Sequence, residues 1–379
     1  MIYLDNNATT EIFPAVLDAM LPFLTADHGN PSSAHALAEK PREAIEESRR
    51  KVARLLGASH SGEIVFTSGG TESDNWAILG TLEARPEKTQ VVTTRVEHEA
   101  VRKVCEKLES RGYEVVWLDV DEKGLLDPGQ LRDVVDESTA IVSIMMANNE
   151  TGVLFPVHEL AGIVKSKSDA AFHVDGVNAA GKVAIDLADS NIDLFSISAH
   201  KFHGPKGVGA LFVRDGFELA SNSIGGGQES GRRAGTEAVH QIAGLGAAAE
   251  IASDLRPMDE IGILRDRLEK VFLRDYEIAS VNGSRANRLP NTSNVSFEGL
   301  NGELILSRLD ERGICVSTGS ACNESNHVSS PVLHAMEIPY SKAMGAIRFS
   351  LGRNNTAEEI DIVIAALTEI IGEARSIAA

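Results

Sequence analysis

Lys201 is the residue on which the chemistry suggested by this sequence depends. It follows an apolar run, residues 194–198, that is typical of a buried strand, and a turn with glycine and proline ends that strand. Lysine is usually a solvated surface charge, but an amine at a strand end could also form an imine with an aldehyde cofactor. Ser198 and His200 provide two hydrogen-bonding side chains beside it.

A second group is the turn 68–72, which reads Ser-Gly-Gly-Thr-Glu after a predicted strand and opens a helix. Its small residues would let backbone N–H groups and a hydroxyl surround a phosphate at the positive end of the helix dipole. A glycine turn with a helix cap is the simpler alternative. The pattern is neither a P-loop nor G-x-G-x-x-G, so a nucleotide is not the favoured ligand.

Three further polar groups follow predicted strands. His98 could cap a helix, or its ring could stack on a flat cofactor and handle protons. Asn148 and Asn149 could form a turn before a glycine, or donate to a phenolic oxygen. Asp175 ends an apolar run, where a carboxylate is costly unless it pairs with a group such as a ring N–H⁺.

These groups share one location, because ligands of an open α/β sheet bind at the carboxyl ends of its strands. A lysine for an imine, an aspartate for a pyridinium, a helix N-terminus for a phosphate and a histidine for a ring face together describe a site for pyridoxal 5'-phosphate. Each signal is weak alone, and their common position carries the prediction.

The elements that position these groups alternate between strand and helix, which indicates an α/β domain with a mostly parallel sheet. An amphipathic helix is predicted at 41–56, and strands are predicted at 63–67, 90–94, 113–118, 140–146, 171–174, 194–198 and 208–213. A smaller α+β region follows, with helices at 260–273, 303–312 and from 357, and strands at 294–297 and 347–351. We expect a large domain, residues 16–256, and a small domain, residues 1–15 plus 257–379.

Composition narrows the class of partner. The 379 residues carry a formal net charge of −19, which argues against nucleic acid or an anionic membrane as the main partner. No apolar run has the length of a membrane span, and polar residues follow Met1 closely, so we expect a cytoplasmic protein without a signal peptide. Three cysteines without ligand-like spacing suit a reducing compartment and speak against a structural metal.

The chain resembles the cysteine desulfurases of the class V aminotransferase fold, the NifS/IscS family. The resemblance extends nearly from end to end, and its motifs are YLDNNATT (3–10), GNPSS (29–33), TSGGTES (67–73), EH (97–98), NNETG (148–152), SAHK (198–201), RAGT (233–236), STGSAC (317–322) and RFSLGR (348–353). It implies the fold of type I PLP-dependent transferases, related to aspartate aminotransferase, with the large and small domains described above.

The resemblance also implies roles in cofactor binding. Lys201 would be the Schiff-base lysine, Asp175 would pair with the pyridine nitrogen, His98 would stack on the ring, and Asn149 and Asn178 would lie near the phenolic oxygen. The phosphate ligands would be Gly70, Thr71, Ser198 and His200, with Thr236 reaching the phosphate of the other subunit in a homodimer. Similar proteins usually carry glutamine in place of Asn178, so its bond to the phenolic oxygen could be longer or bridged by water.

The substrate side of the site depends on Arg348, Asn30 and Cys322. The resemblance implies that Arg348, helped by Asn30, binds the substrate carboxylate. Cys105 and Cys315 lie in apolar patterns and read as packed side chains, whereas Cys322 stands among Ser, Thr, Gly and Asn, where a thiol can act as nucleophile. This cysteine loop spans about residues 317–330, and the residues after Cys322 differ from the family's usual run, which puts the preferred sulfur acceptor in doubt.

The expected activity is removal of sulfur from L-cysteine, giving L-alanine and a persulfide on Cys322. The sulfur would then pass to an acceptor protein such as an iron–sulfur scaffold, although the sequence leaves the acceptor open. Two alternatives stay open: a selenocysteine lyase or other class V lyase or aminotransferase, and a non-catalytic scaffold that binds a sulfur-trafficking partner.

Overall fold

The computed structural model describes residues 1–318 and 330–378, with side-chain environments as far as Glu373. Its strands are β1 Ile2–Tyr3, β2 Ile64–Thr67, β3 Gln90–Thr94, β4 Glu114–Leu118, β5 Thr139–Ser143, β6 Ala171–Asp175, β7 Leu194–Ser198, β8 Gly209–Val213, β9 Ala279–Val281, β10 Thr292–Phe297, β11 Ile314–Cys315 and β12 Ala346–Ser350. Its α-helices are α1 Pro14–Leu24, α2 Glu39–Leu55, α3 Gly70–Ala84, α4 Glu99–Glu109, α5 Pro128–Val134, α6 Val157–Lys167, α7 Val239–Ala252, α8 Arg256–Asp275, α9 Gly302–Asp310, α10 Pro331–Ala335, α11 Tyr340–Ala343 and α12 Ala357–Ala378.

Within the described residues, seven strands form the large sheet, in the order β2-β8-β7-β6-β5-β3-β4. Strand β8 is antiparallel to both of its neighbours, and the other pairings are parallel. The predicted α/β class with a mostly parallel sheet is therefore confirmed. Because six of the seven strands run in one direction, their carboxyl ends meet at one edge of the sheet.

The sheet is buried on both faces, which explains why its strands are nearly continuous apolar runs. Every residue of β6 and β7 is buried. One face packs on a cluster that includes Phe172 and Phe195, and the other packs on a cluster that includes Ile141 and Leu194. Helices α3 and α4 contribute side chains to the second cluster.

A smaller antiparallel sheet, in the order β12-β10-β9, is built from the C-terminal part of the chain. Helices α8, α9 and α12 pack on it around a core that includes Phe272, Phe297 and Phe349, and Leu4 from the N-terminus joins the same core. Other C-terminal side chains, Leu289 and Met336 among them, belong to the core of the large sheet. The division into residues 16–256 and the remainder stays a prediction.

The N-terminal segment crosses from the small sheet to the large one and passes over the end of β7. Asn6 N donates to Ser350 O at 3.0 Å, and Thr10 N donates to His200 O at 2.9 Å. This path places Asn7 and Ala8 beside Lys201. Among the residues described, no helix is long and apolar enough to span a membrane.

Candidate active site

A cavity of about 270 Å³ lies at the carboxyl edge of the large sheet. Nine of the residues predicted to bind the cofactor line it: Gly70, Thr71, His98, Asn149, Asp175, Asn178, Ser198, His200 and Lys201. They come from the ends of different strands, the turns that follow them and the first turn of α3. The structure thus brings together in space residues that are up to 131 positions apart in the chain, from Gly70 to Lys201.

Lys201 stands in a short 3₁₀ turn, Ala199–Lys201, directly after β7. Its side chain is half-buried, and its Nζ donates to the carbonyl oxygen of Asn7 and, at 3.1 Å, to that of Ala8. The strand end and the N-terminal segment therefore hold this amine at the wall of the cavity.

Asp175 is the last residue of β6 and is only 5% exposed. Its Oδ1 accepts from Val177 N at 2.9 Å. Burial raises the pKa of this carboxyl, and the neighbouring His98, the N–H of Val177 and the charge of Lys201 oppose that rise. A buried carboxylate at this position is most stable beside a cation, which is the environment that a protonated ring nitrogen would supply.

His98 both caps helix α4 and lines the cavity, so capping the helix does not exclude a role at the cavity. Its Nδ1 accepts from Ala100 N at 3.1 Å and so caps α4. In a neutral ring the proton is then on Nε2. Desolvation of the ring at the cavity lowers the pKa of His98, although the residue as a whole is exposed, and the charge of Asp175 opposes this shift. The neutral form is therefore favoured near pH 7.

The turn before α3 has the backbone required for an anion site. Gly69 has φ +149°, which favours glycine, and a Cβ on Gly70 would lie 2.6 Å from Val177 Cγ2. Glycine at both positions therefore lets the N-terminus of α3 lie at the cavity wall, where its first N–H groups can bind a phosphate. Glu72 steadies the turn from its outer side, since its Oε2 accepts from Ser68 N at 2.7 Å.

The two remaining predicted phosphate ligands come from the end of β7. Ser198 is 3% exposed and ends the strand. The Nδ1 of His200 lies 3.2 Å from Thr9 Oγ1. Burial and the nearby charges of Lys201, Lys206 and Lys182 lower the pKa of His200 to about 4, so its ring is neutral near pH 7.

Asn149 and Asn178 line the cavity from the turns after β5 and β6. Asn149 is half-buried, and its carbonyl oxygen accepts from Asn7 Nδ2 at 3.1 Å. Asn178 is 5% exposed and donates from Nδ2 to Asn148 O at 3.2 Å. The side-chain amide of Asn178 is therefore held by neighbouring backbone, whereas Asn149 is held through its own carbonyl oxygen. The contact of either residue with a phenolic oxygen stays a prediction.

Arg348 lies on β12 next to the cavity residues rather than among them. It is 7% exposed, its Nη2 pairs with Asp5 Oδ1 at 2.6 Å, and its Nη1 donates to Asn149 O at 3.2 Å. Its Nε is buried without a hydrogen-bond partner among the described residues. The two Nη atoms of this guanidinium are thus both engaged, one with Asp5 and one with a residue that lines the cavity.

Two predicted residues do not reach the cavity of their own chain. Asn30 is exposed and accepts from Ser32 N at 2.9 Å, and Thr236 is exposed in the segment before α7. Their roles toward substrate and toward the other subunit's phosphate remain predictions. Cys322 lies outside the described residues.

The described residues at the two ends of the cysteine loop, Ser317 and Ser330, both contact residues next to the site. Ser317 pairs with Arg348, with its N donating to Arg348 O at 3.2 Å. Ser330 Oγ donates to Glu150 Oε2 at 2.5 Å. Of the other cysteines, Cys105 is fully buried on α4, as predicted, and burial raises the pKa of its thiol to about 12, whereas Cys315 is half-buried in β11.

Sequence reasoning did not single out several groups around the cavity. Asp74 lines it one turn into α3, and burial together with Asp175 raises the pKa of Asp74 well above its ordinary value. Glu97 is 4% exposed, and burial raises its pKa to about 8. Lys182 is 7% exposed and contacts Asn178. The sequence signal that could have identified these residues is a charged residue inside an otherwise apolar segment, because charged residues are rarely buried without a partner.

The comparison with known proteins identifies the class of this chain. The family model for class-V aminotransferases matches residues 2–363, and the chain belongs to that family. A cysteine desulfurase of a Nostoc species is 48% identical over 382 residues, which covers 100% of this chain and 94% of that protein.

Two solved structures agree with this assignment. A NifS-like protein superimposes with a TM-score of 0.92 at 38% identity, covering 98% of this chain and 99% of that one. A structure described as SspA in complex with cysteine gives a TM-score of 0.83 at 35% identity, covering 94% and 100% of the two chains. The predicted family and fold class are both confirmed.

Proposed function

We propose that this chain is a homodimeric L-cysteine desulfurase that uses pyridoxal 5'-phosphate and passes the sulfur of cysteine to an acceptor protein. The observation that carries the proposal is the single cavity in which Lys201, Asp175, His98 and the N-terminus of α3 meet. The full-length similarity to a cysteine desulfurase supports the same reaction.

The cavity suits this cofactor at each of its functional groups. Lys201 offers an amine for the aldehyde, Asp175 a carboxylate for the pyridine nitrogen, and the turn at Gly70 a set of N–H groups for the phosphate. The close approach of Gly70 to Val177 leaves no room for a side chain in this cradle. The buried carboxylate of Asp175 is the strongest indication, because such a group is retained where it has a positive partner.

Bound pyridoxal phosphate would withdraw electrons from the substrate carbon to which the amino group is attached. Asp175 would hold the proton on the ring nitrogen and so keep the ring electron-poor. Lys201 would hold the aldehyde of the cofactor through its amine, and the same amine would take and return the proton of the substrate Cα. His98, neutral near pH 7, would stack on the ring face with a proton on Nε2.

Arg348 would bind the substrate carboxylate, with help from Asn30. A guanidinium and a carboxylate form strong, oriented hydrogen bonds, and Arg348 lies beside the cavity through its contact with Asn149. The ion pair with Asp5 and the hydrogen bond to Asn149 O fix the guanidinium beside the cavity. This arrangement would set the position of the substrate before its sulfur reacts.

Cys322 would be the sulfur acceptor within the enzyme. Its thiolate attacks the sulfur of cysteine, so that the substrate C–S bond breaks while an S–S bond forms on Cys322. The carbon takes a proton in place of sulfur, and the balanced products are L-alanine and an enzyme persulfide. The persulfide would then be transferred to a thiol of an acceptor such as an iron–sulfur scaffold.

The proposal extends to assembly and compartment. Thr236 is exposed on its own chain, which fits a role at the phosphate of a second subunit in a homodimer. A free thiol that serves as nucleophile persists in reducing surroundings, and we propose the cytoplasm as the compartment.

The test is product analysis with purified chain, pyridoxal phosphate and L-cysteine. The proposal predicts equal amounts of L-alanine and transferable sulfur, with a persulfide on the protein when no acceptor thiol is present. Selenocysteine as sole good substrate would instead support a lyase for that amino acid. Amino transfer to a 2-oxo acid without sulfur release would support an aminotransferase, and absence of any product would support a non-catalytic scaffold.

A further inference from the structure

Lys182 is a lysine whose ammonium group lies inside the protein, where lysines are seldom found. The residue is 7% exposed and stands in the turn region after β6, four positions beyond Asn178. Its Nζ donates to Asn178 O at 3.0 Å, to Asn178 Oδ1 at 2.8 Å and to Asn7 Oδ1 at 3.3 Å. No carboxylate among the described residues forms an ion pair with it.

Three acceptor oxygens match the three N–H donors of an ammonium group, so the charged form is fully hydrogen-bonded at this position. Burial and the charges of Lys201 and Arg348 lower the pKa of Lys182 well below its ordinary value. Three acceptor oxygens around the one nitrogen favour N–H donation from it in spite of that shift. An ammonium group can donate but cannot accept. Each of its neighbours must therefore turn an oxygen toward it.

This requirement fixes the direction of the Asn178 amide. Oδ1 must face Lys182, and Nδ2 must point the other way, where it donates to Asn148 O at 3.2 Å. An amide nitrogen carries two N–H groups. Since Asn178 lines the cavity and only one of these groups has a partner among the described residues, the other can serve a ligand in the cavity.

The same ammonium group orients Asn7 on the opposite side. Asn7 Oδ1 also accepts from Asn291 Nδ2 at 3.2 Å, while Asn7 Nδ2 donates to Thr292 Oγ1 at 2.9 Å. The carbonyl oxygen of Asn7 accepts from Lys201 Nζ. Lys182 thus contacts both Asn178, which lines the cavity, and Asn7, whose carbonyl oxygen accepts from Lys201.

We propose that Lys182 is a positioning residue that sets the polarity of Asn178, so that an N–H donor rather than a carbonyl oxygen faces the ring oxygen of the bound cofactor. The inference rests on the proposed function, because that function supplies the ring oxygen as ligand. A donor at this oxygen stabilises its negative form. Such a hydrogen bond therefore lowers the pH at which the linkage between the cofactor and Lys201 would lose its proton. The loss of this proton is followed as a change in visible absorbance.

The experiment titrates the visible absorbance of the cofactor-loaded protein against pH. Lys182→Met removes the three donors from a side chain of similar length and leaves the 3.2 Å bond to Asn148 O as the one contact among the described residues that orients the Asn178 amide. We expect the midpoint to rise by about one pH unit, which corresponds to the loss of one charge-assisted hydrogen bond. Lys206→Met, an exposed lysine on the turn after Lys201, is the matched control and should titrate like the parent.

A double-variant cycle separates positioning from general loosening of the fold. If Lys182 acts through Asn178, the midpoint of Lys182→Met combined with Asn178→Ala should equal that of Asn178→Ala alone. Asn178→Asp gives a second variant should Lys182→Met fold poorly, because it retains contact with Lys182 as an ion pair while losing the donor. Its midpoint should also rise.

Three results would overturn the inference: a parental midpoint in Lys182→Met, fully additive shifts in the double variant, or a parental midpoint in Asn178→Asp. A failure of the proposed function appears differently. A parent protein that binds the cofactor and titrates, but makes no alanine from cysteine, would contradict the desulfurase while leaving this test of Lys182 intact.

Discussion

The residues at the carboxyl edge of the large sheet differ from the predicted residues that stand away from it. Lys201, Asp175 and His98 directly end or follow strands of one sheet, and they meet in one cavity. Arg348 lies on the small sheet, and Thr236 and Asn30 are exposed away from the cavity. The first group is positioned by one continuous set of strands. In the second group, Arg348 is positioned by the small sheet, and Thr236 and Asn30 lie outside the cavity lining of their own chain.

This difference predicts how each group responds to substitution. Substitutions at the sheet edge should mainly change cofactor chemistry and should change substrate affinity less. Residues away from the edge should control substrate binding and sulfur transfer while the cofactor stays bound. The following substitutions test that separation, from the largest expected effect to the smallest.

Lys201→Ala should remove the covalent bond between protein and cofactor and abolish product formation, because the amine is lost from the sheet edge. Borohydride reduction followed by mass analysis measures that bond. Lys182 is the informative alternative amine, since it lies on the other side of Asn7 and is held by three oxygens. A reduced adduct in Lys201→Ala, on Lys182 or elsewhere, would contradict the assignment.

Asp175→Asn should retain the fold but lower turnover by roughly 10²–10³-fold, since an amide cannot hold the ring nitrogen as a cation. Alanine formation under saturating cysteine gives the rate, and Asp189→Asn, an exposed aspartate, is the control. Near-parental turnover in Asp175→Asn would show that the sheet edge does not supply the electron-withdrawing environment.

Arg348→Ala should weaken cysteine binding by about 2–4 kcal/mol, as expected for loss of a carboxylate partner, while the cofactor band stays in place. Titration of the absorbance with cysteine measures the affinity. Arg256→Ala removes an exposed arginine that pairs with Asp254 and provides the control. Unchanged cysteine affinity, or loss of the cofactor, would break the proposed separation between the two groups.

Glu97→Gln should have the smallest effect, and that effect should depend on pH. Burial raises the pKa of Glu97 in the folded chain from 4.5 to about 8, so the folded state holds a proton that the unfolded state releases between these values. Stability of the parent therefore falls as pH rises through this window, and the variant escapes that loss. The Tm of the variant relative to that of the parent should therefore increase from about pH 5 to about pH 8. The same pH dependence of Tm in both proteins, or a similar increase in the exposed control Glu99→Gln, would contradict a buried proton on Glu97.

The large sheet could be predicted from the sequence because each of its strands is a short apolar run between turn residues. Strands β3 and β7 have the predicted bounds, and helix α2 begins two residues earlier than predicted. The pairing of β1 with β11 could not be foreseen, since two-residue strands carry no periodic pattern. The path of the N-terminal segment over Lys201 also depends on contacts between distant parts of the chain.

The candidate site, like the fold, could be predicted only in part from the sequence. The meeting of Lys201, Asp175 and His98 could be predicted because each follows a predicted strand. The carboxyl ends of parallel strands lie at one edge of a sheet. Asp74, Glu97 and Lys182 were missed because each lies within a helix, a strand–helix junction or a turn where a charged residue is ordinarily exposed. Only the packed structure shows that all three are buried around the cavity.

Cys322 provides the most direct test of the central claim, since sulfur transfer separates a desulfurase from other enzymes of this family. Cys322→Ser should bind the cofactor and change its spectrum on adding cysteine, because the sheet-edge residues are intact, yet form no alanine and no persulfide. Cys105→Ser and Cys315→Ser should both retain the chemistry. The measurement is alanine release and persulfide mass on the three variants: parental alanine release by Cys322→Ser, or sulfur found on Cys105 or Cys315, would contradict the account.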